Sequence, residues 1–174
     1  LFIGVYSSIE KAAGTESHAA AIGGITTMMR MLRLGGSYKN SLIPQLIASS
    51  QSHYIDYSLH ASIFNHQQID VMKFCFDKWI TSFKIYMNLG GDVDHVYMDM
   101  EPGTNSLREA KVEVTSEIIQ KVVQNAASLR CPVLVHAEDY EMCACGIKTA
   151  KEKNEDGLAA WSQSRSTQSE VKSI

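Results

Sequence analysis

Two apolar stretches hold the residues whose types and spacing could do chemistry. In Thr81-Ser82-Phe83-Lys84-Ile85-Tyr86-Met87, strand alternation places Ser82, Lys84 and Tyr86 on one face and Phe83, Ile85 and Met87 on the other. In a parallel sheet covered by helices both faces are buried, so Lys84 is expected inside, where an ammonium is costly unless paired or chemically altered. A neutral amine there could capture carbon dioxide and become an anionic carbamate able to bridge two metal ions. Equally, Lys84 could snorkel to the strand end or sit in an internal salt bridge. The second stretch is Cys131-Pro132-Val133-Leu134-Val135-His136-Ala137-Glu138-Asp139. His136 falls at the C-terminal end of its strand, where ligands and catalytic groups gather in parallel α/β folds. A neutral imidazole there suits zinc or manganese, and a purely structural histidine is the plain alternative. Two such residues at the ends of consecutive strands point into one mouth, which favours a site.

The elements that must position these residues alternate along the chain. Strand patterns are expected at 3–7, 25–29, 54–63, 81–87 and 131–136. Helical spacing is expected at 15–22, closed by Gly23-Gly24, and at 41–50 with Pro44 in the first turn, where it is tolerated. It recurs at 67–79, with Ile69, Met72, Cys75 and Phe76 on one stripe, at 115–129 behind a Thr115 N-cap, and at 139–153. This predicts an α/β fold of about five βα units with a parallel sheet. A doubly wound open sheet and a (β/α)8 barrel both satisfy the pattern. No GxGxxG follows a strand, so the dinucleotide-binding version lacks its phosphate loop. A barrel usually needs ~250 residues, of which this chain would hold little more than half. The polar SQSRSTQSEVKS stretch reads as a linker or the approach to a helix beyond the chain.

Residues 88–114 are long for a βα connection, usually about 2–6 residues. Asp92, Asp94, His95, Asp99 and Glu101 could make a lid or an extra metal site; the plainer reading is a solvated excursion with a short strand or an oligomer contact. His60 ends a strand and could face the pocket, whereas His18, His53 and His66 read as surface or helix-boundary residues. Met28, Met29 and Met31 read as core.

With 174 residues, 45% hydrophobic, 20% charged and a net charge of −3, the chain reads as one domain spanning 1–174. No apolar run reaches the roughly 18 residues a membrane span needs, and the apolar start lacks the basic flank and cleavage site of an export signal. No Lys/Arg cluster supplies a phosphate-facing patch, which argues against nucleic acid. Cys75, Cys131, Cys143 and Cys145 make no disulfide or zinc spacing and read as reduced thiols of a cytoplasmic protein.

GTESHAAAIGGITTMM (14–29), YIDYSLH (54–60), ITSFKIYM (80–87) and CPVLVHAED (131–139) occur in that order. Together they resemble the cyclic amidohydrolase family of dihydropyrimidinases, hydantoinases, allantoinases and dihydroorotases. DYSLH and SFKIYM lean toward the dihydropyrimidinase and hydantoinase branch. The resemblance covers about residues 14–140 and implies a partial (β/α)8 TIM barrel of the metal-dependent amidohydrolase type. It further implies a centre of two divalent ions, usually zinc, with Lys84 as the carbamylated bridging lysine and His136 as a metal ligand. In such a centre a metal-bound hydroxide attacks the carbonyl of a small cyclic amide or ureide, opening the ring. A homo-oligomer, dimer or tetramer, is implied as well.

The departures are as informative. The family's HxH pair ending the first strand has no counterpart in Val5-Tyr6-Ser7-Ser8-Ile9-Glu10, and a substrate-holding tyrosine is replaced by Leu89. Met31-Leu32-Arg33 stands where dihydroorotases carry an asparagine. The later histidine and the proton-shuttling aspartate would lie beyond Ile174. The catalytic set is therefore expected to be incomplete, and the chain alone inactive. The rival expectation is a non-catalytic oligomeric scaffold on the same fold, like the collapsin response mediator proteins.

Overall fold

The structure, a computed structural model, describes residues 4–89, 95–112 and 114–174. Residues 4–7, the described part of the expected first strand, form bends instead. Helix α1 (Ile9–Ile22) begins earlier than its alanine-rich stretch suggests, because the Ser8 hydroxyl caps it by accepting the Lys11 N–H. Ile9, Ala12, Ala13 and Ser17 form its buried stripe, and Gly24, at φ +83°, takes the chain out of the helix.

Strand β1 (Thr27–Leu32) alternates cleanly, with Met28, Arg30 and Leu32 buried. Met29 is 48% exposed and Met31 only half-buried, which corrects the expectation that all three methionines are core. Helix α2 (Tyr38–Ser52) starts at its Ser37 cap, so Pro44 lies inside the helix and not in its first turn. Proline has no N–H to offer the Asn40 carbonyl one turn back. Strand β2 (Asp56–Ser62) follows.

The helix expected over 67–79 is two pieces, α3 (His66–Ile69) and α4 (Met72–Asp77). Gln68 explains the break. Its side chain is fully buried, accepting the Phe64 N–H at 2.8 Å and donating to the Leu34 and Gly36 carbonyls, which locks two loops together. After β3 (Phe83–Tyr86), the 88–114 excursion contains an antiparallel pair, β4 (His95–Met98) and β5 (Arg108–Lys111). Helix α5 (Ser116–Ser128) is capped by Thr115 and buries Ile118, Val122 and Ala126 at the predicted spacing. Strand β6 (Val133–His136) leads to α6 (Tyr140–Glu152), capped by Asp139. The polar C-terminal stretch is helical in part: α7 (Gly157–Gln163) and α8 (Thr167–Ser173) replace the expected linker.

Among the described residues the main sheet has four parallel strands in the order β1-β2-β3-β6. That order follows the chain and never reverses, so this sheet has no switch point of the doubly wound kind. Leu32, Ala61, Phe83 and Val133 stand in one register row. The same face carries Arg30, which reaches Ser49 and Gln45 of α2, so it is the helix side. There Leu32, Ala61, Phe83 and Ile85 pack with Leu42, Met72, Cys75, Ile118 and Val122 in the principal core. A smaller core joins Ile9, Ala12, Ala13, Met28 and Ala48 between α1, α2 and β1.

Candidate functional site on the second sheet face

The opposite face of the sheet carries the polar residues. By register, Ser62 lies beside Lys84, Lys84 beside Leu134, and Tyr86 beside His136. Lys84 and His136 therefore project from the same face of adjacent strands, His136 one alternate residue further toward the C-terminal rim.

Lys84 is only 9% exposed. Its Nζ stands 5.0 Å from the centre of the Tyr86 ring, a cation–π distance, and no ion pair among the described residues involves it. Burial pulls the amine below the usual lysine range. Next to it on β2, His60 is buried, with Nδ1 hydrogen-bonded to the Ser82 hydroxyl. Burial and the Lys84 charge both hold this imidazole toward its neutral form. Tyr86 is pushed up by burial, stacks on Phe64 at 5.6 Å between ring centres, and has the Arg33 guanidinium 6.0 Å over its face. The His136 ring lies 6.3 Å from the Tyr86 ring. Tyr86 is thus the common neighbour of Lys84 and His136.

His136 is tied down from the rim. Its Nε2 and Glu138 Oε2 are 2.7 Å apart, and Arg165 Nε lies 3.7 Å from the same oxygen. Arg165 in turn covers the Trp161 ring at 4.6 Å. A partner that orients an imidazole in this way is typical of metal-binding histidines, and equally serves a structural one.

The other histidines and carboxylates go elsewhere. His18 and His66 are exposed, and His53 stacks on Tyr57 with its Nδ1 2.8 Å from the Ser49 carbonyl. His95 is exposed on β4, Glu101 pairs with Arg108, and Asp99 is buried against Arg30 on the helix side. Asp92 and Asp94 lie outside the described residues. Among the described residues no group of three or more His, Cys, Asp or Glu is placed to hold a metal ion. The Arg30–Asp99 pair and the Glu138–Arg165 link are absent from the sequence reading. Arg30 carried a signal all the same: a charge at a helix-facing position inside the apolar run TMMRML requires a buried partner.

No protein-family profile matches the chain, and no curated protein sequence matches it. Solved structures do. An L-hydantoinase (dihydropyrimidinase) from Arthrobacter aurescens superposes with a TM-score of 0.73 at 20% identity, over 92% of this chain and 32% of its own. A dihydropyrimidinase from Brevibacillus agri gives 0.72 at 20%, over the same shares. A D-hydantoinase gives 0.73 at 18%, over 98% of this chain and 34% of its own. This chain thus spans about a third of the length of the structures it matches, and at these identities the likeness is one of fold. The sequence resemblance and the fold likeness point to the same group of proteins. No helix among the described residues is long and apolar enough to cross a membrane.

Proposed function

We propose that the chain is an arc of a (β/α)8 barrel from a metal-dependent hydrolase that opens the amide bond of a cyclic amide or ureide. The barrel reading rests on winding. A sheet that adds each strand on the same side, through right-handed crossovers, keeps its connecting helices on one face, and the other face is left to close on itself. The observation that carries the chemical reading is Lys84, a buried amine with no carboxylate partner among the described residues, on the same face as His136.

The two residues fit the implied centre by their chemistry. An amine that burial biases toward its neutral form is the form that reacts with carbon dioxide, and the product would be an anionic oxygen donor. His136 would supply a nitrogen donor. These two do not complete a ligand set, and the remaining donors are not among the described residues. When bound, divalent metal, zinc by resemblance, would polarise the ring carbonyl and favour ionised water. The chain's own residues would orient the pair: Tyr86 neighbours both Lys84 and His136, His60 is held by Ser82 on the adjacent strand, and Glu138 fixes the imidazole. The substrate would be a hydantoin, dihydropyrimidine, allantoin or dihydroorotate type of ring.

The test is protein purified with 13C-bicarbonate and zinc. A carbamate carbon resonance and bound zinc, both lost in Lys84→Met, are the expected result. The 174-residue chain by itself is expected to leave dihydrouracil, hydantoin, allantoin and dihydroorotate intact, whereas a protein carrying the full ligand set should open at least one. Absence of carbamate, metal and ring opening in that longer protein would overturn the hydrolase reading in favour of a non-catalytic, oligomeric scaffold.

A further inference from the structure

The Lys84 face carries a second cation. The alternation of β1 runs through Met29 and Met31 to Arg33, just past the strand's end and on the face opposite Arg30 and Leu32. Arg33 is half-buried, and its guanidinium carbon lies 6.0 Å over the Tyr86 ring. Lys84 Nζ is 5.0 Å from the centre of that same ring, and the His136 ring is 6.3 Å from it. A small ring bound at Lys84 and His136 therefore comes within reach of the guanidinium. Asp99 fixes where this side chain starts. Its N–H donates to the Arg33 carbonyl at 2.8 Å and its Oδ2 accepts the Arg33 N–H at 3.2 Å, so one residue holds the Arg33 backbone on both sides. The Asp99 carboxylate itself is sealed against Arg30 on the helix side, while the Arg33 side chain is sent the other way, over Tyr86.

Charge says what such a guanidinium would meet. Toward the C-terminal ends of the four strands, the charged side chains on this face among the described residues are Arg33, Lys84 and Glu138. Glu138 is already engaged by His136 at 2.7 Å and by Arg165 at 3.7 Å. Positive charge thus exceeds negative at the mouth, which favours an anionic ligand. A guanidinium takes a carboxylate through two parallel hydrogen bonds, with a fixed geometry that an ammonium lacks.

We propose that Arg33 is a specificity-determining residue, and that the cyclic amide or ureide taken by the site bears an ionised carboxylate on its ring. The guanidinium holds the carboxylate while the ring amide faces Lys84 and His136. The choice of a cyclic amide rests on the hydrolase reading; the carboxylate rests on Arg33 and is tested apart from it.

Dihydroorotate and dihydrouracil differ by one carboxylate on the same ring. Each is titrated into the 15N-labelled chain and followed by amide shifts, with sodium acetate as a third arm. Dihydroorotate is expected to bind saturably, with shifts at residues 31–34 and 84–88, at least about tenfold more tightly than dihydrouracil or acetate. Arg33→Met should erase that preference, so that the two rings bind alike. Arg33→Lys should restore only part of it, because an ammonium keeps the charge without the two-pronged geometry. The wild-type comparison needs no variant, and a dispersed amide spectrum shows that each variant keeps the fold. Equal affinity for the two rings, acetate binding as tightly as dihydroorotate, no saturable binding, or a preference that survives Arg33→Met would each overturn the proposal. Neither zinc nor bicarbonate is added, so a missing carbamate in the earlier test leaves this result standing, and a missing preference here leaves the carbamate result standing.

Discussion

Arg30 and Asp99 are both fully shielded from solvent as side chains, and they join β1 to the excursion that follows β3. Removing one member of such a pair strands the other charge, so Asp99→Ala is expected to cost about 3–5 kcal/mol. The pH dependence has an unusual sign. Burial raises the Asp99 carboxyl to about 6, whereas an unfolded aspartate titrates near ~3.9, so folding takes up a proton within that window. The Asp99 contribution therefore favours the folded state below about pH 4 and is lost as pH rises through 6. In urea unfolding, the lead of the wild type over Asp99→Asn should shrink by the order of 2 kcal/mol between pH 4 and pH 7. A lead that grows with pH would show that the carboxylate is stabilised instead. At this scale Lys84 and His136 were readable because alternation and strand ends place them without knowledge of packing. Asp99 was not: 69 residues separate it from Arg30, and only the fold brings them together.

Helix α5, whose start signal is legible in the sequence, stands where the sequence puts it, whereas the serine caps of α1 and α2 lie ahead of their expected starts. Thr115 accepts the Ile118 N–H, and the apolar stripe of α5 runs at helical spacing behind it. Thr115→Ala should cost about 1 kcal/mol in thermal or urea unfolding, with most of the loss restored by Thr115→Ser. Elements whose limits depend on tertiary hydrogen bonds were misread. The α3–α4 break comes from Gln68, whose amide serves loops on two different strands. Pro44 inside α2 was placed in the first turn because Ser37, the true cap, lies seven residues before it. The core expectation also fails at Met29, which the alternation of β1 places on the open face.

For the whole molecule, β6 pairs with β3 on one side only among the described residues, and Val135 on it is 44% exposed. A strand edge with an apolar side chain is a template for association. Light scattering of the chain is expected to show concentration-dependent self-association, reduced by Val135→Lys; an unchanged profile would show that this edge is not the contact. Strand–helix alternation made the parallel sheet legible, but periodicity alone could not choose between winding schemes. Adjacency decides that, and adjacency is fixed by how the helices cross over.

The unreversed strand sequence bears on how the polypeptide is made. Each of β2, β3 and β6 docks against a strand synthesised before it, and only β1 waits for its partner. Assembly can proceed with synthesis from the N-terminal side, and the delay that long-range contacts impose falls on the β3–β6 pairing, which must await the whole excursion, and on the Asp99 link that fastens the excursion onto a strand already in place.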